Sequence, residues 1–370
     1  MPSRFLNRFK RITYSTDFLP EIDGLRFLAI FSVVVIMHIS GYLDEKFYKD
    51  QLIDQDYRKS FTIEGGNGVP LFFIISGFIL SLPFAKWRLE SGKPVRLKQY
   101  YIRRVTRLEP PYLIALILLF IGHVLVVNRY GFQELLPHFL ASAVYLHTPI
   151  YGNFSPVMPV SWSLEVEVQF YILAPLFSLI YLIRKSMVRR VLLLVVILFS
   201  TVFWFDNWKA VHVFKYLHYF FSGLLLADLY CSKIKLLPHE KGGAIAGIIF
   251  LLVFLFLPSL GSLPAYLIKT TSMILLVHLA LSNQIIRGLF SVPVLVIIGG
   301  MCYSIYLLHF AIVSATGQLM IKLGWASGNQ AFFIIYVLLF STVVLILSAI
   351  YFLLIEKPFM RKGKLMAKSL

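Results

Sequence analysis

Residues 21–40 read EIDGLRFLAIFSVVVIMHIS. From Ile22 to Tyr42 the run is almost wholly apolar, and about 20 such residues cross the hydrocarbon core of a bilayer. This is therefore a first transmembrane span, although it carries Arg26 near its start and His38 near its end. The segment before it is basic, with Arg4, Arg8, Lys10 and Arg11. A signal peptide begins in the same way, but no small-residue cleavage site follows, so the span is read as retained.

Working outward, runs of similar length recur at about 67–85, 109–128, 163–183, 191–206, 211–230, 243–258, 264–286, 293–318 and 331–355. Hydrophobic residues make up 58% of the chain, above the roughly 45–50% of a soluble domain, and the excess has to face lipid. The expected fold is an all-α integral membrane protein, a polytopic bundle of about ten transmembrane helices with both termini cytoplasmic. Its expected divisions are a basic cytoplasmic N-terminal segment (1–21), a single transmembrane domain (22–356) and a basic cytoplasmic tail (357–370). The stretch 132–148, FQELLPHFLASAVYLHT, is too short and polar for a span and is read as an interfacial or re-entrant helix on the outer side.

Charge supports this layout. With 132–148 left outside, 26 of the 35 Lys and Arg fall on the inner side, as the positive-inside rule requires. The formal charge of +17 is thus explained by loops at a membrane surface, and nucleic acid is not an expected partner. The expected location is the cell inner membrane. Cys231 and Cys302 give neither a disulfide framework nor metal spacing, and the nine histidines form no HExxH pattern. No metal site and no bound cofactor are expected.

Ionisable residues inside spans are costly and usually functional. His38 is suited to general-base work near neutral pH; the alternative is a histidine bonded inside the bundle for packing. In NGVPLFFIISGFIL (67–80), Gly68, Ser76 and Gly77 permit close helix contact, and Ser76 lacks the GxSxG setting of a nucleophile. In YYIRRVTRLEPPY (100–112), Arg104 and Arg107 share a helix face and could grip phosphate or could be plain positive-inside charge. In VSWSLEVEVQFYILAP (160–175), Glu165 and Glu167 follow Trp162. Their i, i+2 spacing turns them about 200° apart on a helix. One could orient a histidine as the third member of a triad does, or the two could form structural ion pairs, with Lys215 or Lys269 for example.

Together these stretches resemble the membrane acyltransferase-3 family. The resemblance rests on IDGLRFLA…H (22–38), GVPLFFIISGF (68–78), RRVTRLEPPY (103–112), WSLEVEVQFY (162–171) and YSIYLLH (303–309). It implies an integral-membrane O-acyltransferase moving an acyl group, with acetyl first in line, from acyl-CoA to a hydroxyl of a cell-surface or lipid-linked saccharide. By the same resemblance His38 and Glu167 are catalytic, with Glu167 orienting His38. Arg26, Arg104 and Arg107 bind the donor or stabilise the oxyanion. His309 matches a late histidine without an assigned role; it and Ser76, Trp162 and Glu165 are candidate pocket residues. Acyl-CoA is then a substrate, and membrane lipids and the saccharide are the other partners. Two departures stand out. Eleven residues, Phe27 to Met37, separate Arg26 from His38, one more than the family pattern. That puts the pair about 120° apart around an α-helix instead of about 20°. Either a π-bulge absorbs the extra residue or Arg26 leaves the pocket of His38. And Pro70 stands where an acid is often found. The alternative function is a transporter or flippase for a lipid-linked or anionic solute, although no inverted repeat of the transporter kind is visible.

Overall fold

A computed structural model describes residues 6–12, 18–48, 66–127, 130–205, 212–237, 239–257 and 262–368, so parts of the basic N-terminal segment and the end of the tail lie outside the described residues. The helices are α1 (Pro20–Lys46), α2 (Gly68–Leu89), α3 (Leu97–Val126), α4 (Phe132–Ala143), α5 (His147–Tyr151), α6 (Pro159–Leu182) and α7 (Ser186–Trp204). They continue with α8 (Leu217–Cys231), α9 (Glu240–Phe256), α10 (Leu263–Ser282), α11 (Gln284–Phe290), α12 (Pro293–Gly300), α13 (Cys302–Lys322) and α14 (Phe333–Met366). Among the described residues there is no strand.

Eight of these helices are long and apolar enough to cross a membrane: α1, α2, α3, α6, α7, α10, α13 and α14. The other two expected spans fall on α8 and α9, which are shorter, at 15 and 17 residues. At 1.5 Å per residue they reach about 22 and 25 Å, less than the roughly 30 Å of a hydrocarbon core. The 12 residues of α4 cover only about 18 Å.

Two expected spans are interrupted, each for a local reason. The run 264–286 stops at Ser282 because Asn283 adopts extended backbone and caps a new helix, its Oδ1 accepting from the amides of Ile285 and Ile286 at 3.1 Å each. The run 293–318 breaks at Met301, after Gly299 and Gly300. Gly299 lies flat on α1; a Cβ there would run into the Asp23 carbonyl oxygen. Close approach of this kind recurs where α2 crosses α8. A Cβ on Gly77 would meet the Phe220 carbonyl, and one on Gly223 would meet the backbone at Gly77 and Phe78. Without a hydrophobic drive between helices in lipid, such backbone contact is what dispersion forces can exploit.

The bundle is apolar outside and carries its polar groups within. Val195, Phe199, Ile334 and Leu338 are exposed, whereas Asp23, Glu165, Lys269, His309 and Glu356 are buried. Arg189 and Arg190, at the start of α7, both bond Asp228 of α8, the latter at 2.7 Å. That cluster is a structural link as well as a topology signal. Beyond α14 the helix runs on to Lys368, its basic stretch Lys357–Lys368 lying against α3.

Candidate active site

One face of α2 lines a cavity of about 770 Å³ of empty space, part of it open to the outside. The lining residues on this helix, Val69, Phe72, Phe73, Ser76, Ile79 and Leu80, follow helical spacing. They extend about 16 Å along the axis. Three other helices complete the wall: α3 with Arg104 and Arg107, α6 with Ser163, Glu167 and Tyr171, and α13 with Cys302, Tyr303 and Tyr306. Arg26 of α1 closes one end.

That end is cationic. Asp23 holds two arginines at once, Oδ1 accepting from Arg26 Nη1 at 3.0 Å and Oδ2 from Arg11 Nε at 2.6 Å. The Arg104 guanidinium lies 5.9 Å from the centre of the Tyr100 ring. Arg107 Nε is buried with no acceptor among the described residues. Glu356, fully buried on α14, accepts from the Ser304 hydroxyl at 2.5 Å and lies within electrostatic reach of Arg107 and Arg26. Four guanidinium groups therefore stand against three carboxylates, Asp23, Glu356 and Glu167, an excess that suits an anionic ligand.

Midway along, the Ser76 hydroxyl donates to Glu167 Oε1 at 2.5 Å. At the other end, Tyr306 stacks its edge on Phe72 and its ring centre lies 5.5 Å from that of His309. His309 Nε2 in turn lies 2.8 Å from His38 Nδ1. His38 is thus one layer beyond Tyr306 and is not itself a lining residue. It is half-buried, with its ring also against the edge of Phe310 at 5.4 Å.

Residues 19–352 match a family model described as an acyltransferase domain, Acyl_transf_3. The chain belongs to this family. A Staphylococcus aureus (strain COL) protein named "Putative O-acetyltransferase" is 24% identical over 96% of this chain and 59% of its own length. The peptidoglycan O-acetyltransferase OatA of Listeria monocytogenes is 27% identical over 47% of this chain and 26% of its own. The exopolysaccharide production protein ExoZ of Rhizobium meliloti is 27% identical over 82% of this chain and 92% of its own. The chain thus spans about three-fifths of the length of the Staphylococcus relative. No solved structure matches it.

Within this acyltransferase-family chain, the site residues read from sequence divide into groups. Arg26, Arg104, Arg107, Ser76 and Glu167 meet in the cavity. Glu167 does not orient His38; it bonds Ser76, and the partner of His38 is His309. The reason is depth: Glu167 is placed by α6 opposite the middle of α2, whereas His38 faces α13. Glu165 is not a pocket residue. Its Oε2 accepts from the Thr148 amide at 2.9 Å and ties α5 to α6, because the i, i+2 spacing turns it away from the face that Glu167 presents. Trp162 is not a lining residue either; its ring joins Phe73, Phe154 and Tyr216 in an aromatic cluster. The extra residue between Arg26 and His38 falls in a helix with a π segment, Ser32–Ile39. Arg26 and His38 both face α13, at different depths, and do not touch.

Among the charged groups, three contributors went unread in the sequence: Glu356, Asp23 and Arg11, the last taken only as basic charge ahead of the first span. Glu356 lies one residue past the run that ends near 355, a charge at a span end that hydropathy alone discards. Asp23 sits inside the IDGLR stretch, and its acidic side chain three residues before Arg26 was a visible i, i+3 partner.

Proposed function

We propose that this protein is a membrane O-acyltransferase that moves an acyl group, acetyl first in line, from acyl-CoA to a hydroxyl of a cell-surface or lipid-linked saccharide. The observation that carries the reading is the polarity of the cavity. Arg26, Arg104 and Arg107 stand together on its wall, whereas the histidine pair lies one layer beyond Tyr306. His38 is twelve residues past Arg26 on α1, about 18 Å of helix. A phosphate-bearing head at the arginines and a thioester carried on a pantetheine arm along the wall suit that layout.

The chemistry balances without a further reactant. His38 Nε2 takes the proton of the acceptor hydroxyl as the oxygen attacks the thioester carbonyl carbon. The tetrahedral intermediate collapses, the C–S bond breaks, and the thiolate leaves with a proton returned by the imidazolium. Glu167, with Ser76, sets the charge in mid-cavity beside Tyr171. Relatives named for peptidoglycan O-acetylation and for exopolysaccharide production support a saccharide acceptor. The distribution of Lys and Arg supports an inner-membrane location with the Arg104–Arg107 end facing the cytoplasm.

The test is twofold. Purified protein given acetyl-CoA and cell-envelope glycan should release free thiol in step with glycan O-acetylation. Mass spectra of surface glycans from cells with and without the gene should differ by one acyl group per modified sugar. Identical spectra would remove the reading.

A further inference from the structure

We propose that His309 is a positioning residue that fixes the proton of His38 on Nδ1 and so leaves Nε2 as the lone-pair nitrogen. The inference rests on the reading of His38 as general base and assigns the device that prepares it.

The argument is an accounting of hydrogens. His309 Nδ1 lies 2.8 Å from the Tyr306 carbonyl oxygen and 3.2 Å from that of Ile305. Carbonyl oxygens only accept, so this nitrogen carries a hydrogen. A neutral imidazole has one N–H, which makes His309 Nε2 an acceptor. Its partner at 2.8 Å is His38 Nδ1, which must therefore donate. The proton of His38 is thereby fixed on Nδ1 and its lone pair on Nε2. Free imidazole side chains in water favour the opposite tautomer, so the arrangement has to be imposed.

Three features hold it in place. His309 is fully buried, so water does not compete for Nε2. The rings of His38 and His309 are 4.8 Å apart and tilted by 40°, and Phe310 meets His38 edge-on at 85°. And His38 stands in the π segment of α1, which delivers it toward α13.

The chain of donors differs from a carboxylate triad in one respect. It ends on the carbonyl dipoles of Tyr306 and Ile305 and not on a fixed negative charge. Partial charges stabilise an imidazolium less than a carboxylate does. The proton taken from the acceptor hydroxyl is thus readily handed on to the departing thiolate.

The experiment uses the full chain in lipid nanodiscs with 15N-labelled histidine rings. NMR separates protonated from lone-pair ring nitrogens, and His38 and His309 are assigned by difference from His38→Ala and His309→Leu. Wild-type protein should show His38 protonated at Nδ1, with coupling across the bond to His309 Nε2. In His309→Leu the His38 proton should move to Nε2, and thiol release from acetyl-CoA should slow about 10–10²-fold at unchanged donor KM. His309→Gln puts an acceptor oxygen near the position of Nε2 and should restore both the tautomer and most of the rate. His38 protonated at Nε2 in the wild type, or a tautomer indifferent to His309→Leu, would overturn the proposal. A His38→Ala variant with full activity would instead sink the general-base reading, whatever the spectra show.

Discussion

The hydroxyl of Ser76 donates to Glu167 across 2.5 Å and joins α2 to α6 halfway along the cavity. The acceptor in this bond is a carboxylate that also lies within electrostatic reach of Arg26 and Tyr171. Its negative charge offsets part of the arginine field along the path the pantetheine arm would take. Glu167→Gln keeps the shape and the bond to Ser76 but removes that charge. Acyl transfer by this variant should fall about 10–10²-fold, whereas Ser76→Ala should cost less than tenfold because the charge remains. Equal losses from the two variants would reassign the pair to helix docking.

The arginine end should govern donor affinity. Arg104→Gln and Arg107→Gln each remove a charged hydrogen-bond donor from the cavity wall. At about 1.5–3 kcal/mol per charged contact, the KM for acyl-CoA should rise roughly tenfold to a hundredfold per residue, with kcat affected less. An unchanged KM would return both residues to topology signals.

His38→Ala separates chemistry from stability. If His38 is the base, transfer should drop about 10²–10⁴-fold. Melting temperature should fall only modestly, by the roughly 1–3 kcal/mol of leaving buried His309 Nε2 without its donor, far too little to account for such a loss of activity per folded molecule. The complementary pattern, an unstable protein with normal activity per folded molecule, would assign His38 to packing.

The crossing of α2 and α8 predicts the opposite behaviour. Gly223→Leu pushes a side chain against the backbone at Gly77 and Phe78, and overpacking of this kind typically costs about 1–3 kcal/mol or more. Yield and melting temperature should fall while donor KM in the surviving protein stays near normal. A stable Gly223→Leu would show that the helices can separate without loss.

Orientation is tested from outside the cell. A cysteine introduced as Ser186→Cys, at the start of α7, should resist membrane-impermeant thiol reagents in intact cells. Labelling there would invert the proposed arrangement of the spans.

The sequence exposed the architecture well, because length and hydropathy are one-dimensional properties. Its errors lie where helices are cut by short-range chemistry, as at Asn283 and Met301. Of the site, the cavity face of α2 and the Arg104–Arg107 register follow directly from helical spacing. The pairing of His38 with His309 does not, for 271 residues separate them and nothing in either stretch names the other. Glu167 was matched to the wrong neighbour for the same reason: motif order reveals which residues are special and is silent about the depth at which each faces its partner.

The π segment of α1 has a consequence for how this chain tolerates change in length. Ser32–Ile39 is wound more loosely than the α-helix on either side of it, and looser winding stores one residue beyond what a regular helix would hold. Deleting a single apolar residue between Val33 and Met37 should let the segment relax to ordinary α-helix and still aim His38 at α13. Inserting one should swing His38 about 100° off that line, with no slack left to take it up. The opening span therefore behaves as an asymmetric spacer, forgiving of shortening and intolerant of growth.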